Sequence, residues 1–351
     1  MREIIISEIK EKGAITFKRF MEISLYHPLG YYIRHGRNIG KGGDFYTSVS
    51  LGPLFGRILA KQFVKLSKYL PMNIIEMGCG RGDLAGDISS YLSQIGVDFK
   101  YFAIELYPPA LNHPRIKWIK SIEELPELEG IFFSNELVDS FPVHVIEVKD
   151  GRLMEVYVTW DRGEFKEVLD EPSSSEIERY FEELGVELPD GFRTEVNLDA
   201  IRWLEGISKK IKRGLLITID YGYPSDELYR DYRRKGTLLC YFKHTVNDNP
   251  YQRIGDQDIT SHVNFSALSL WGKKLGLETV MFTTQAYFLM DGGILDELSS
   301  SNGIDALDMR LKAKSLLLPG GMGDIFKVLV QEKGMNKEEI RGLFKAPSFP
   351  L

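Results

Sequence analysis

The stretch Asn73-Ile74-Ile75-Glu76-Met77-Gly78-Cys79-Gly80-Arg81-Gly82-Asp83-Leu84 restricts the folds open to this chain more than any other. A short apolar run that breaks into glycines before a helical pattern reads as a buried parallel strand entering a turn and a helix. Glycines there let a ligand approach the backbone closely, and the helix start offers N–H groups. Open parallel sheets bind ligands at the carboxyl ends of their strands, so this turn is the expected cofactor site.

Further apolar runs at residues 99–105, 130–134 and 215–220 are separated by segments long enough for helices, the spacing of βαβ units. The fold class expected is therefore α/β, a doubly wound and mostly parallel sheet. From Val143 to Leu169 the pattern changes to alternating strands punctuated by Asp150-Gly151 and Arg162-Gly163, the chemistry of hairpin turns. Two helices follow. The second is capped by Asn197, buries Leu198, Ile201, Leu204, Ile207 and Ile211, and stops at Gly214. The chain thus divides into an N-terminal helical extension with a Gly-rich loop (1–70), a core of 71–142 and 214–335, an inserted meander with helices (143–213) and a tail (336–351). Within the core, residues 221–263 are polar and turn-rich with one strand at 237–241, and read as an active-site lid. A helix near 264–275 and strands near 277–283 and 325–331 complete the sheet.

At 351 residues the chain exceeds what one compact core usually holds, and a hydrophobic fraction of 43% fills a large one. Lys and Arg number 44 against 50 Asp and Glu, so the net charge of −6 argues against nucleic acid as a partner. No apolar run approaches the ~18 residues of a membrane span. Met1-Arg2-Glu3 opens an amphipathic stretch rather than a signal peptide, and the expected location is cytoplasmic. Two cysteines, Cys79 and Cys240, and six histidines without i, i+4 pairing predict no metal site.

Three groups of residues carry chemistry. Glu105 ends the second strand 23 positions after Gly82, where an acid accepts hydrogen bonds from a ribose diol. Gly80-Arg81-Gly82-Asp83-Leu84-Ala85 also fits the dinucleotide pattern, so the loop alone admits a nicotinamide dinucleotide, S-adenosylmethionine, or a tight turn with no ligand. Glu76 tilts the choice toward S-adenosylmethionine, because a carboxylate at the strand end attracts that ligand's amino group. The segment Asn135-Glu136-Leu137-Val138-Asp139 delivers an amide and two carboxylates to the same rim, unless Asn135 and Asp139 only cap the next helix. Asp220, in Asp220-Tyr221-Gly222, is either a further functional acid or part of a strand-end turn.

The order of motifs resembles the MidA-like family. It runs from Leu25-Tyr26-His27-Pro28-Leu29-Gly30-Tyr31-Tyr32 through Gly42-Gly43-Asp44-Phe45-Tyr46-Thr47-Ser48, the Glu76 loop, Asn135 to Pro142, Ile219 to Gly222 and Gly236-Thr237-Leu238 to Asp258-Ile259-Thr260-Ser261-His262-Val263-Asn264-Phe265. The resemblance covers roughly residues 13–331. It implies a seven-stranded class I methyltransferase sheet with S-adenosylmethionine held by Gly78, Gly80, Gly82 and Glu105. Asp44, Thr47, Ser48, Asn135 and Glu136 would line the same pocket. The family includes a mitochondrial complex I assembly factor that methylates arginine. Val49-Ser50, Ser140 and Asn264 depart from the family's usual Pro-Glu, Ala and Asp, which touches the acceptor pocket rather than the cofactor.

The function expected is methyl transfer to arginine of a protein substrate, with S-adenosylhomocysteine as product. A guanidinium stays protonated near neutrality, so it needs carboxylates to hold it and take its proton. Glu136 and Asp139 are the expected clamp and Asp220 its third candidate. The alternatives are a nicotinamide-dependent oxidoreductase and an assembly chaperone that binds S-adenosylmethionine without catalysis. A homodimer and a protein substrate are the partners considered, with no membrane.

Overall fold

The computed structural model describes residues 1–34, 52–109, 114–300, 304–318 and 321–351. The chain forms two compact units and passes between them after residues 137, 202, 222 and 267.

The larger unit is built on seven strands: β1 (Asn73–Met77), β2 (Lys100–Ile104), β3 (Ile116–Ile119), β4 (Leu128–Asn135), β5 (Ile211–Tyr223), β6 (Glu278–Thr284) and β7 (Phe326–Lys333). Their order across the sheet is β3-β2-β1-β4-β5-β7-β6. The five strands from β3 to β5 run parallel, whereas β7 is antiparallel to both β5 and β6. This is the doubly wound, mostly parallel sheet expected from the spacing of apolar runs. β4 shows why the runs are continuous: Ile131, Phe132 and Phe133 are each 0% exposed, as befits a strand covered on both faces. One face packs on helix α1 (Pro53–Leu66), whose Phe55, Ile58, Leu59 and Phe63 are buried at helical spacing. The ring of Phe63 lies 5.3 Å from that of Phe133.

Gly214 corrects one expectation. The helix capped by Asn197 (Leu198–Ser208) ends before Ile211, and Gly214 lies inside β5 opposite Gly130 of β4. A Cβ on Gly214 would fall 2.1 Å from the Gly130 carbonyl oxygen, so the glycine serves close strand packing and not helix termination. The cap itself forms as expected, with the Ala200 amide donating to Asn197 Oδ1 at 2.9 Å.

The smaller unit joins residues 1–34, 138–202 and 223–267. Strands His144–Lys149, Arg152–Asp161 and Glu164–Asp170 form the meander, and its turns take positive φ at Asp150-Gly151 and Arg162-Gly163 as hairpin chemistry requires. Its Val143, Val145, Val156 and Val158 share a core with Ile5, Phe17, Phe20 and Met21 of the N-terminal helices. Residues 221–263 hold three short strands, Leu239–Phe242, Thr245–Asn247 and Asp258–Thr260, rather than the single one expected.

Candidate cofactor and catalytic site

β1 ends at Met77 and the chain turns through Gly78, Gly80 and Gly82 at φ of 71°, 56° and 84°, a region closed to most side chains. The turn is tied to β2, because the Gly78 and Cys79 amides donate to the Ile104 carbonyl at 3.0 and 3.2 Å. A Cβ on Gly78 would meet Leu137 Cδ1 at 2.7 Å, and one on Gly82 would meet the Trp118 ring at 2.8 Å. Around Gly80 there is open space. Helix α2 (Asp83–Gln94) starts at this turn with no side-chain cap, which leaves its first amides to a ligand or water.

Two carboxylates flank the turn. Glu105, just past β2, accepts the Gly80 amide through Oε2 at 2.8 Å. Glu76, in β1, is 3% exposed, and its Oε2 accepts from the Tyr101 hydroxyl at 2.5 Å and the Cys79 thiol at 3.2 Å. Burial pushes the Glu76 carboxyl up to about 7, the charge of Glu105 adding to the effect while the two hydrogen bonds oppose it. Burial first, and the Glu76 carboxylate after it, also raise the Tyr101 phenol and the Cys79 thiol well above their ordinary values, so both remain donors.

The end of β4 supplies the remaining groups of this unit. Glu136 has φ of 54°, unusual for a residue with a side chain, and its amide donates to the Ile219 carbonyl of β5 at 2.9 Å. Asn135 Nδ2 donates to Glu136 Oε1 at 3.1 Å, while the buried Asn135 Oδ1 has no hydrogen-bond partner among the described residues. Asp220 is 0% exposed; its Oδ2 accepts the Leu137 amide at 3.2 Å and its Oδ1 the Tyr221 amide at 2.9 Å. Asp139 belongs to the smaller unit, where it is buried and its carbonyl accepts the Ser261 amide at 3.0 Å. Asp44, Thr47 and Ser48 lie outside the described residues.

The larger unit therefore brings together Glu76, Gly78, Gly80, Gly82 and Glu105, and sets Asn135, Glu136 and Asp220 along the adjoining strand ends. Two residues of this arrangement, Tyr101 and Trp118, carry no local sequence signal. Tyr101 looked like any strand tyrosine, and Trp118 lies in β3, too short a run to stand out. The acceptor set of Glu76, Glu105 and Asn135 Oδ1 suits a cationic, hydroxyl-bearing ligand. A ribose diol complements Glu105 in either class of ligand, whereas Glu76 complements an amino group and not a pyrophosphate. The orphaned Asn135 oxygen and the glycine cradle give such a ligand an acceptor and space. Among the described residues no three His, Cys, Asp or Glu side chains gather as metal ligands.

A glycine cradle at the first strand of a β3-β2-β1-β4-β5-β7-β6 sheet, with acids at the neighbouring strand ends, defines a nucleoside-binding methyltransferase of the doubly wound class. Residues 54–283 match a family described as "putative S-adenosyl-L-methionine-dependent methyltransferase". A superfamily member from Burkholderia thailandensis, solved bound to S-adenosyl-homocysteine, has a TM-score of 0.88 at 30% identity, covering 95% of this chain and 92% of its own. The protein arginine methyltransferase NDUFAF7, mitochondrial, of Danio rerio is 26% identical over 376 residues, spanning 92% of this chain and 84% of the relative. The Homo sapiens protein of that name is 25% identical over 310 residues, spanning 75% and 67%. The chain belongs to this MidA-like family of S-adenosylmethionine-dependent methyltransferases. S-adenosylmethionine is its cofactor, which resolves the choice the glycine loop left open.

Proposed function

We propose that the chain methylates arginine in a protein substrate, with Glu136 as the carboxylate that holds the guanidinium. Bound S-adenosylmethionine would supply an electrophilic methyl carbon for in-line attack by an aligned nucleophile, with S-adenosylhomocysteine as the leaving group. The remaining work falls to the chain's own side chains. Gly78, Gly80 and Gly82 admit the ligand to the backbone, Glu105 suits its ribose and Glu76 its amino group. Asn135 ends β4, the strand beside β1, and Glu136 follows it.

The observation that carries the reading is the left-handed backbone of Glu136 at the end of β4. A strained residue held at a strand end beside a ligand loop is the arrangement that functional groups favour. The names of the zebrafish and human relatives supply the acceptor class. A guanidinium losing its proton as it is methylated requires a nearby carboxylate, and Glu136, oriented by Asn135, provides one.

Replacing Glu136 with Gln keeps the side-chain shape and removes the charge. Labelled-methyl transfer from S-adenosylmethionine to host proteins, read by mass spectrometry, should fall by about 10²-fold or more. Cofactor affinity by calorimetry should stay within about twofold. Unchanged transfer would remove Glu136 from the reaction, and labelling confined to residues other than arginine would remove the acceptor.

A further inference from the structure

We propose that Asp220 is a positioning residue: it locks the Asn135–Leu137 turn so that Glu136 is held in register with the cofactor's glycine loop. The inference rests on the reading of Glu136 above, but its geometry stands separately. β4 and β5 are parallel neighbours, with Asn135 opposite Ile219. Where β4 ends, Glu136 continues the pairing by donating to the Ile219 carbonyl. The next residue of β5 is Asp220, fully buried, and its two carboxylate oxygens accept the Tyr221 and Leu137 amides. A side chain from one strand thus grips the backbone of the other, 83 residues away in the chain, immediately after the strained residue.

Leu137 is held at both ends. Its amide is bound by Asp220, and its side chain lies where a Cβ on Gly78 would have to go. Displacing this residue would move the acceptor turn and the cofactor loop together. A left-handed residue with a side chain is strained, so the turn persists only because its surroundings fix it. The hydrogen bond that Asp220 accepts from the Leu137 amide is such a restraint. A carboxylate already committed to two backbone amides differs in kind from one that grips a guanidinium.

Asp220→Asn tests this, since the amide group keeps the volume but cannot accept at both atoms. With a peptide covering the arginine mapped by labelled-methyl transfer, kcat should fall about 10²-fold, as expected of about 1 Å of misplacement. KM for the peptide should change less than about threefold, and the Leu137 amide should lose hydrogen-exchange protection. A tenfold rise in peptide KM with kcat retained, or an unaltered Leu137 amide, would overturn the proposal. Leu137→Ala provides a second route that leaves the carboxylate in place. In the double variant the losses in kcat should overlap, because both act on one turn, and simple multiplication of the two losses would refute it. Should Glu136→Gln prove active while Leu137 still deprotects in Asp220→Asn, the assignment of Glu136 fails and the turn lock survives.

Discussion

The ends of β1 and β4 solve opposite problems with the same backbone conformation. After β1 the left-handed positions are all glycines, Gly78, Gly80 and Gly82, and the turn offers backbone and empty space. After β4 the left-handed position is Glu136, which offers a carboxylate at the cost of strain. The first end keeps its main chain clear of side chains; the second keeps a side chain at the left-handed position and fixes the backbone there, the Glu136 amide donating to the Ile219 carbonyl and the Leu137 amide to Asp220.

The contrast breaks most sharply at Gly82. Gly82→Val adds a branched side chain at φ of 84° and drives it into Trp118, so calorimetry should show cofactor affinity reduced by about 10²-fold or more. Retained affinity would mean that the cradle is not where the ligand sits.

Glu76 tests the electrostatics of the first strand end. Its carboxyl is raised from an ordinary 4.5 to about 7, so in the ligand-free chain its contribution to stability is full below about 4.5 and is lost as pH rises through about 7. A cationic ligand favours the ionised form, so the gain in Tm from S-adenosylhomocysteine, which keeps the amino group, should widen between pH 5 and 8. Glu76→Gln should flatten that dependence and weaken binding about tenfold at pH 8. Parallel pH profiles for the two proteins would show that Glu76 does not meet the ligand's charge.

Glu136→Gly removes the strain, and thermal unfolding should rise by about 2–4 °C, for roughly 1 kcal/mol, while methyl transfer is lost. A lower Tm would show that the side chain of Glu136 stabilises the turn more than its backbone strains it.

Much of the larger unit was legible in the sequence because parallel strands buried on both faces leave continuous apolar runs, as in Ile131-Phe132-Phe133. β3 was not, since Ile-Lys-Trp-Ile is four residues long with Lys117 exposed. Gly214 misled because a glycine after an apolar stripe has the same appearance at a helix stop and in a crowded strand. The glycine cradle and Glu105 were readable from spacing along the chain. The roles of Tyr101 and Asp220 were not, because they come from hydrogen bonds to residues 25 and 83 positions away, which leave no local pattern.

The position of β7 has a consequence for how the chain is made. It follows the other six strands of this sheet along the chain, yet it is wedged between β5 and β6 and pairs along β5 from Gly214 to Tyr221. Until Lys333 leaves the ribosome, the Val328 and Val330 positions at the heart of the sheet are empty and β5 presents a bare edge to other chains. Nascent or prematurely terminated chains lacking this strand would therefore expose an aggregation-prone edge, even though Gly78, Gly80, Gly82 and Glu105 have already emerged.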